Sequence, residues 1–404
     1  NGVADYINND NSLRYAYFTY DESIDRADLT DSDDRYSNLY EKINYMNTVI
    51  SKVPGADGGT SERKDQIVAE ARVRRAWYHF LLVGLYAQQY DEAKAEQLGG
   101  VPYVDNTNSG EEKTKLNLKK TYERILEDCS DEVLAKLIPS SVDNVCRFGL
   151  DFGYGVRARV LFQMKRYDEA LKYAELALKV NSRLEDRSPV KNSGKWVLDY
   201  NCPSNYYLIY QDNSNLGDFY GYLISPEVAA CIDPNDYVFK YYLAEPHMEP
   251  AWGSPYPTVP EGSLQSNIGD ARWNVWGLRS ESMYYIKAEC LIRSGKITEG
   301  LTQLDKVRAS RIENPEIYAE KTGLTEADAM KLLQDSKRFE FIKTFENFFD
   351  RKRWNSEEAY KTTIVRDLSS LGLGTYSLSP DSPIWVFPFP MNATKHNKSL
   401  TQNY

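Results

Sequence analysis

The sequence predicts an all-α protein: a helical-repeat scaffold that carries one long loop-rich insertion and finishes in an extended C-terminal tail. Three observations predict it. Apolar residues recur at helical spacing through most of 36–182 and 279–354. One set of residues, Tyr154, Ala158, Leu161, Ala170 and Ala177, returns 130 positions later as Tyr284, Ala288, Leu291, Gly300 and Val307. The chain closes on SPIWVFPFPMNATKHNKSLTQNY, in which Pro383, Pro388 and Pro390 exclude a helix interior or a central strand.

The elements follow in order. YSNLYEKINYMNTVISKV (36–53) has helical periodicity and stops at Pro54-Gly55, and DQIVAEARVRRAWYHFLLVGLYAQQ reads as a long helix. Its mixture of small and large residues (Ala71, Ala76, Phe80, Leu81, Gly84) suits close helix packing. GGVPYV (99–104) breaks it, and a helix over Leu118–Leu137 ends before Pro139. Residues 154–182 match the tetratricopeptide pattern, with small residues where two helices touch, since bulk there would push the pair apart. The second set begins in YYIKAECLIRSGKITEGLTQLDKVRASR. Between them, 183–278 loses helical periodicity and holds four of the seven tryptophans and ten of the 31 tyrosines. Helix resumes from about Thr325 through Trp354, and the segment beyond is irregular. The whole of 1–404 reads as a single domain. Its parts are an N-terminal helical part (36–182), the insertion (183–278), a C-terminal repeat and late helix (279–354), and the tail (355–404).

Composition narrows the function. With 42% hydrophobic and 27% charged residues the chain is of globular type, and a net charge of −10 disfavours nucleic acid and anionic membrane surfaces. Cys129, Cys146, Cys202, Cys231 and Cys290 lie far apart without a CxxC, so neither a disulfide framework nor a zinc site is indicated; Cys290 reads as core packing. Of the three histidines, His79 sits among Trp77, Phe80 and Leu81 as a packed residue, and His247 and His396 have no companions. GxSxG, HExxH, Walker and GxGxxG elements are missing, so no cofactor and no catalysis are expected. A glycosidase would need only two carboxylates at the right separation, yet no β/α alternation offers a frame for them. The acidic run DLTDSDD (28–34) lacks the glycine and distal glutamate of an EF-hand and reads as a solvated loop.

Five stretches in order resemble the SusD/RagB family of outer-membrane nutrient-binding lipoproteins. They are YEKINYMNTVI, AEARVRRAWYHFLLVGLY with GGVPYV, LRSESMYYIKAEC, DSKRFEFIKTFENFFDRKRW (with Arg338, Glu340, Phe341, Asp350, Arg353 and Trp354) and VFPFPMNATKHNKSLTQNY. The resemblance implies a tail that wraps back over the helices, with Trp385, Phe387 and Phe389 inserted in grooves and its polar end tethered by hydrogen bonds. The family carries Glu-Gly and then Arg where this chain has Thr344, Phe345 and Asn347, so local capping there is expected to differ.

The resemblance further implies a non-catalytic surface protein that captures oligosaccharides and passes them to a SusC-type TonB-dependent transporter. Membrane attachment would run only through a lipidated N-terminal cysteine, which these residues do not include. Sugar rings offer apolar C–H faces to aromatic side chains and hydroxyls to polar ones. The expected platform comprises Trp196, Trp252, Trp273, Trp276, Tyr206, Tyr220 and Tyr256, with Arg26, Asp28 and Tyr36 from the N-terminal loop as partners that family topology places nearby. Trp273 and Trp276 could equally pack beneath the last repeat. The alternatives are the same scaffold capturing peptides, and a tetratricopeptide adaptor holding another protein.

Overall fold

The computed structural model describes residues 12–108, 110–139, 147–196, 202–209, 222–244, 261–266 and 274–404. Helices α1 (Leu13–Thr19) and α2 (Asp34–Lys52) each begin on a side-chain cap, Ser12 or Asp33, which accepts a first-turn N–H that has no partner within the helix. Asp33 belongs to the acidic run, yet it is buried and also accepts the Tyr86 hydroxyl at 2.7 Å. Helix α3 (Ser61–Tyr86) spans 26 residues and is buried nearly all round from Ala69 onward. Strand β1 (Gly99–Pro102) pairs antiparallel with β2 (Lys115–Asn117) and leads into α4 (Leu118–Asp128) and α5 (Asp131–Leu134). The single helix expected over Leu118–Leu137 is thus two. The break falls beside Asp128, whose carboxylate is pinned by Arg75 at 2.6 Å, Arg72 at 2.9 Å and the Tyr103 hydroxyl at 2.5 Å.

Helices α6 (Leu150–Gln163) and α7 (Tyr167–Val180) form a tight hairpin. The described stretches of the insertion pack on a small core that they share with the frame. They contain α8 (Val190–Ser193), β3 (Asn205–Tyr207), β4 (Tyr222–Ile224), α9 (Pro226–Ala229), α10 (Tyr237–Tyr241) and β5 (Leu264–Ser266). Val190, Trp196, Ile224, Val228, Ile232 and Val238 pack there with Phe339. Strand β6 (Leu278–Arg279) pairs with β3, so the insertion closes at its root.

Helices α11 (Ser280–Arg293) and α12 (Ile297–Ala309) repeat the α6–α7 hairpin, and α11 packs on α7. The 130-residue offset extends to the turns. Lys165 and Gly295 both take positive φ (61° and 80°), and the Arg166 and Lys296 N–H groups reach back to the Leu161 and Leu291 carbonyls, each at 2.9 Å. A left-handed residue followed by a bond back into the last turn is a compact way to end a helix. At Gly300 a Cβ would lie 2.7 Å from the Ala288 carbonyl oxygen, so the small pair sets the separation of the two helices.

Helices α13 (Glu326–Glu340) and α14 (Phe345–Asn355) replace the one late helix expected. Lys343 adopts φ 62°, Thr344 caps α14 by accepting from the Glu346 N–H, and Asn347 donates to the Arg338 and Phe341 carbonyls at 3.0 and 2.9 Å. The residues that depart from the family pattern therefore supply their own capping. Beyond them lies a hairpin that the periodicity missed, β7 (Ile364–Asp367) with β8 (Thr375–Leu378), turned through Gly372 and Gly374 at positive φ.

The tail does wrap the body. The Phe387 N–H donates to the Leu85 carbonyl at 3.0 Å, and Phe389 is fully buried, 5.7 Å from Tyr86 with near-parallel rings and 6.0 Å from Tyr36. A short helix α15 (Met391–Thr394) follows, and the Asn403 amide donates to the Tyr86 and Gly100 carbonyls at 2.7 and 2.9 Å.

Two buried ion clusters join these parts. In the first, Arg187, Arg279 and Arg311 surround Glu185, Glu281 and Glu340; Arg311 reaches Glu340 at 2.9 Å and Glu281 at 2.7 Å, and Arg187 reaches Glu340 at 3.0 Å. In the second, α14 holds three helices. Asp350 binds Arg159 of α6 at 3.0 Å and Lys337 of α13, while Arg353 forks onto Glu289 of α11 at 2.6 and 2.9 Å. Burial pushes the Glu340 carboxyl up, but Arg187, Arg311 and Arg279 outweigh it and hold it at about 2; Arg353 and Arg293 likewise hold Glu289 at about 2 against burial.

Asp350→Asn should cost about 3–5 kcal/mol in urea unfolding at neutral pH, because it leaves buried cations short of a counter-charge. Carboxyls depressed in the folded state stabilise it above their unfolded value and lose that contribution as pH falls. The contribution of these carboxyls should therefore be fully present above about pH 5 and be lost from about 4.5 toward 2, so that stability falls steeply over that range, as read by urea titration at stepped pH. Gly84→Ala should cost about 1–3 kcal/mol in the same assay, since a Cβ there would sit 2.1 Å from the buried Phe349 ring.

Candidate functional site

Within the insertion the chain runs DPNDYVFKYY. Asp236 caps α10, accepting from the Val238 and Phe239 N–H groups. Val238 is fully buried, and that phase sets Tyr237 and Tyr241, four residues apart, on one half-exposed face. Their rings are 6.3 Å apart and 25° from parallel. Glu313 accepts from the Tyr241 hydroxyl at 3.0 Å, from Lys191 at 2.5 Å and from Lys240 at 2.8 Å. Those three hydrogen bonds hold the Glu313 carboxyl at about 2. Both ammonium groups lie within 6 Å of the Tyr241 ring centre, at 5.8 and 5.5 Å. The Tyr237 hydroxyl has no hydrogen-bond partner among the described residues. The result is a two-ring ledge edged by one carboxylate and two ammonium groups, with one phenol free to bond.

The ledge is tied to the first ion cluster. The Tyr237 N–H donates to the Arg311 carbonyl at 2.9 Å, the Glu313 N–H to the Asn235 carbonyl at 2.9 Å, and Asp236 lies 3.7 Å from Arg187.

The residues expected to form the platform are distributed otherwise. Trp196 is 5% exposed, its indole N–H donating to Glu185 at 2.8 Å, and Tyr206 is 1% exposed, its hydroxyl donating to the Asn181 carbonyl at 2.6 Å. Arg26 is buried under the tail, donating to the Val386 and Pro383 carbonyls, and Tyr36 packs between Tyr40, Tyr86 and Phe389. These four are structural: each polar atom or ring face that a ligand would use is already engaged by the chain. Trp276 is half-buried, with its carbonyl accepting the Trp77 indole N–H, and Asp28 is exposed. Trp252, Trp273, Tyr220 and Tyr256 lie outside the described residues. The ledge itself escaped the sequence reading, although an aspartate cap with tyrosines at i and i+4 around a valine was a legible helical signal inside the loop-rich stretch.

Two other features resolve as structural. Glu185, Glu281 and Glu340 bring carboxylate oxygens within 4.8 Å of one another, but Arg187, Arg279 and Arg311 lie among them as ion-pair partners and balance their charge. His79 uses both ring nitrogens, toward the Arg75 carbonyl at 2.9 Å and the Val104 N–H at 3.1 Å, and burial pulls its pKa down to about 3. It is neutral and fixed.

A family model described as starch-binding and associating with the outer membrane matches residues 2–161, and a second, the SusD family, matches 265–404. The chain belongs to the SusD/RagB family. Among solved structures, a SusD superfamily protein from Bacteroides fragilis is 18% identical with a TM-score of 0.75, covering 99% of this SusD-like chain and 92% of that one. A putative sugar binding protein from Bacteroides vulgatus is 17% identical, TM-score 0.72, over 94% and 87%. Surface glycan-binding protein A from Bacteroides uniformis is 15% identical, TM-score 0.71, over 97% and 88%. At such identities these likenesses speak to the SusD fold. No curated protein matches the sequence.

Proposed function

We propose that this chain acts as one SusD-like domain over 1–404: a non-catalytic surface protein that captures oligosaccharides and hands them to a SusC-type TonB-dependent transporter. A lipidated cysteine ahead of these residues would anchor it; among the described residues no helix is long and apolar enough to cross a membrane. Support comes from the family descriptions, and from structural neighbours that are themselves named sugar- or glycan-binding.

The observation that carries the reading is the Tyr237–Tyr241 ledge. A pyranose laid on the Tyr237 face would bury its C–H surface, while its hydroxyls meet the Tyr237 phenol, Glu313, Lys191 and Lys240. The polar edge is unsuited to hydrolysis. A glycosidase needs one carboxylic acid kept protonated and a second carboxylate opposite it. Glu313 is held ionised by two lysines and a phenol. Trp276 and Asp28, and the aromatic candidates outside the described residues, remain proposed as further contacts.

Calorimetric titration with a panel of neutral oligosaccharides tests this. At least one should bind, and Tyr237→Ala should weaken it by about tenfold, roughly the 0.5–1.5 kcal/mol of one well-placed aromatic contact. The melting temperature should fall only modestly, because Tyr237 is partly buried at the margin of the insertion's core rather than within it. An unchanged affinity in Tyr237→Ala would remove the ledge from the binding site.

A further inference from the structure

Helix α14 is a run of engaged side chains with one exception. Asp350, Lys352 and Arg353 are each buried and bonded: Asp350 to Arg159, Lys352 to the Gly84 and Ala87 carbonyls, and Arg353 to Glu289. Arg351, between them, is the one described arginine whose guanidinium makes no hydrogen bond, ion pair or ring contact. It is half-buried, and its Nε–H is sealed from solvent without an acceptor.

Its surroundings do not neutralise it. Arg338, on α13, lies close by as a like charge; its own Nε–H is also sealed without an acceptor, and only its Nη2 reaches Glu227, at 3.3 and 3.4 Å. Glu227 is half in solvent, with 52% of its side chain exposed. Asp335, the other carboxylate nearby, is engaged by Lys331 and by the Cys231 thiol. Burial, and then the charge of Arg338, pull the Arg351 pKa below its usual range, so the folded chain bears this cation at a cost. In a molecule of net charge −10, Arg351 and Arg338 set two cations against one loosely held carboxylate, Glu227.

Planar guanidinium forks match the oxygens of a carboxylate or sulfate, and a charge-assisted pair is the strong form of that bond. We propose that Arg351 and Arg338 form an oxyanion subsite, and that the captured saccharide carries an acidic substituent, a uronate carboxylate or a sulfate ester, which docks there. This rests on the carbohydrate reading and narrows its ligand class. The site joins α14 and α13 of the frame to α9 of the insertion through Glu227, whose loose contact with Arg338 is the one an incoming anion would displace.

The test is calorimetry at low salt with three trisaccharides of matched length, one uronate, one sulfated and one neutral, on the wild-type chain and on Arg351→Gln and Arg338→Gln. One or both acidic sugars should bind on the order of tenfold tighter than the neutral one, and whichever does identifies the anion. Arg351→Gln should abolish that preference while leaving neutral affinity in place, and 200 mM salt should reduce it in the wild type. Because Arg351 has no partner to lose, the Gln variant should melt at or above the wild-type temperature. Equal binding of acidic and neutral sugars by the wild type, or a preference that survives Arg351→Gln, overturns the subsite. Inorganic sulfate alone is the control. If sulfate raises the wild-type melting temperature but not that of Arg351→Gln while no saccharide binds, the saccharide assignment is overturned, and the carbohydrate reading fails with it. If neutral sugar binds and the acidic preference is missing, only the subsite fails.

Discussion

Carboxylates and guanidiniums at the meeting point of insertion and frame must be paired there or not buried at all. Taking such groups out of water costs several kcal/mol per ion, and only close, multiply bonded counter-charges offset it. Glu185 and Arg187 come from the start of the insertion, Glu281 from α11, Arg311 from just after α12, and Glu340 from the end of α13. None of these segments can move away without stranding a charge. The second cluster does the same for α6, α11, α13 and α14 through Asp350 and Arg353. Buried ions are a weak source of net stability, yet they penalise misregister heavily. Their contribution here is to fix one arrangement of elements that hydrophobic packing alone would hold less specifically.

That constraint reaches the surface. Arg311 supplies the carbonyl that holds Tyr237, and two residues on, Glu313 gathers Lys191, Lys240 and Tyr241. The two-ring ledge sits on a short helix in a long insertion, and its cap and its acidic partner both hang from the ion cluster. Preorganisation of this kind spares a ligand the entropy of ordering the site.

Much of the frame was legible because its determinants are local. The small residues Ala158, Ala170 and Ala288, Gly300 recur at a fixed offset, and the structure repeats that offset in the turns at Lys165 and Gly295. The proline-aromatic tail could be read as a strap, since proline leaves it no other regular conformation. What was not legible depended on long-range partners. The helix break at Asp128 is set beside residues 53 and 56 positions away, and the split between α13 and α14 by an asparagine that reaches backward to free carbonyls. The β7–β8 hairpin was missed because its two four-residue strands are too short to show alternation clearly. The site fared worst. Trp196, Tyr206, Arg26 and Tyr36 have the residue types of a sugar platform, but residue type does not tell which side of a wall a ring faces, and their partners come from as far as 360 positions away.

Native-state hydrogen exchange, with and without bound oligosaccharide, tests the interlocking most directly. The account predicts that amides of α11, α13 and α14 exchange only through global unfolding and share one free energy, and that ligand adds protection at 237–241 without altering that hierarchy. Opening of α14 at a markedly lower free energy than α11, with both buried clusters intact in sequence, would contradict it.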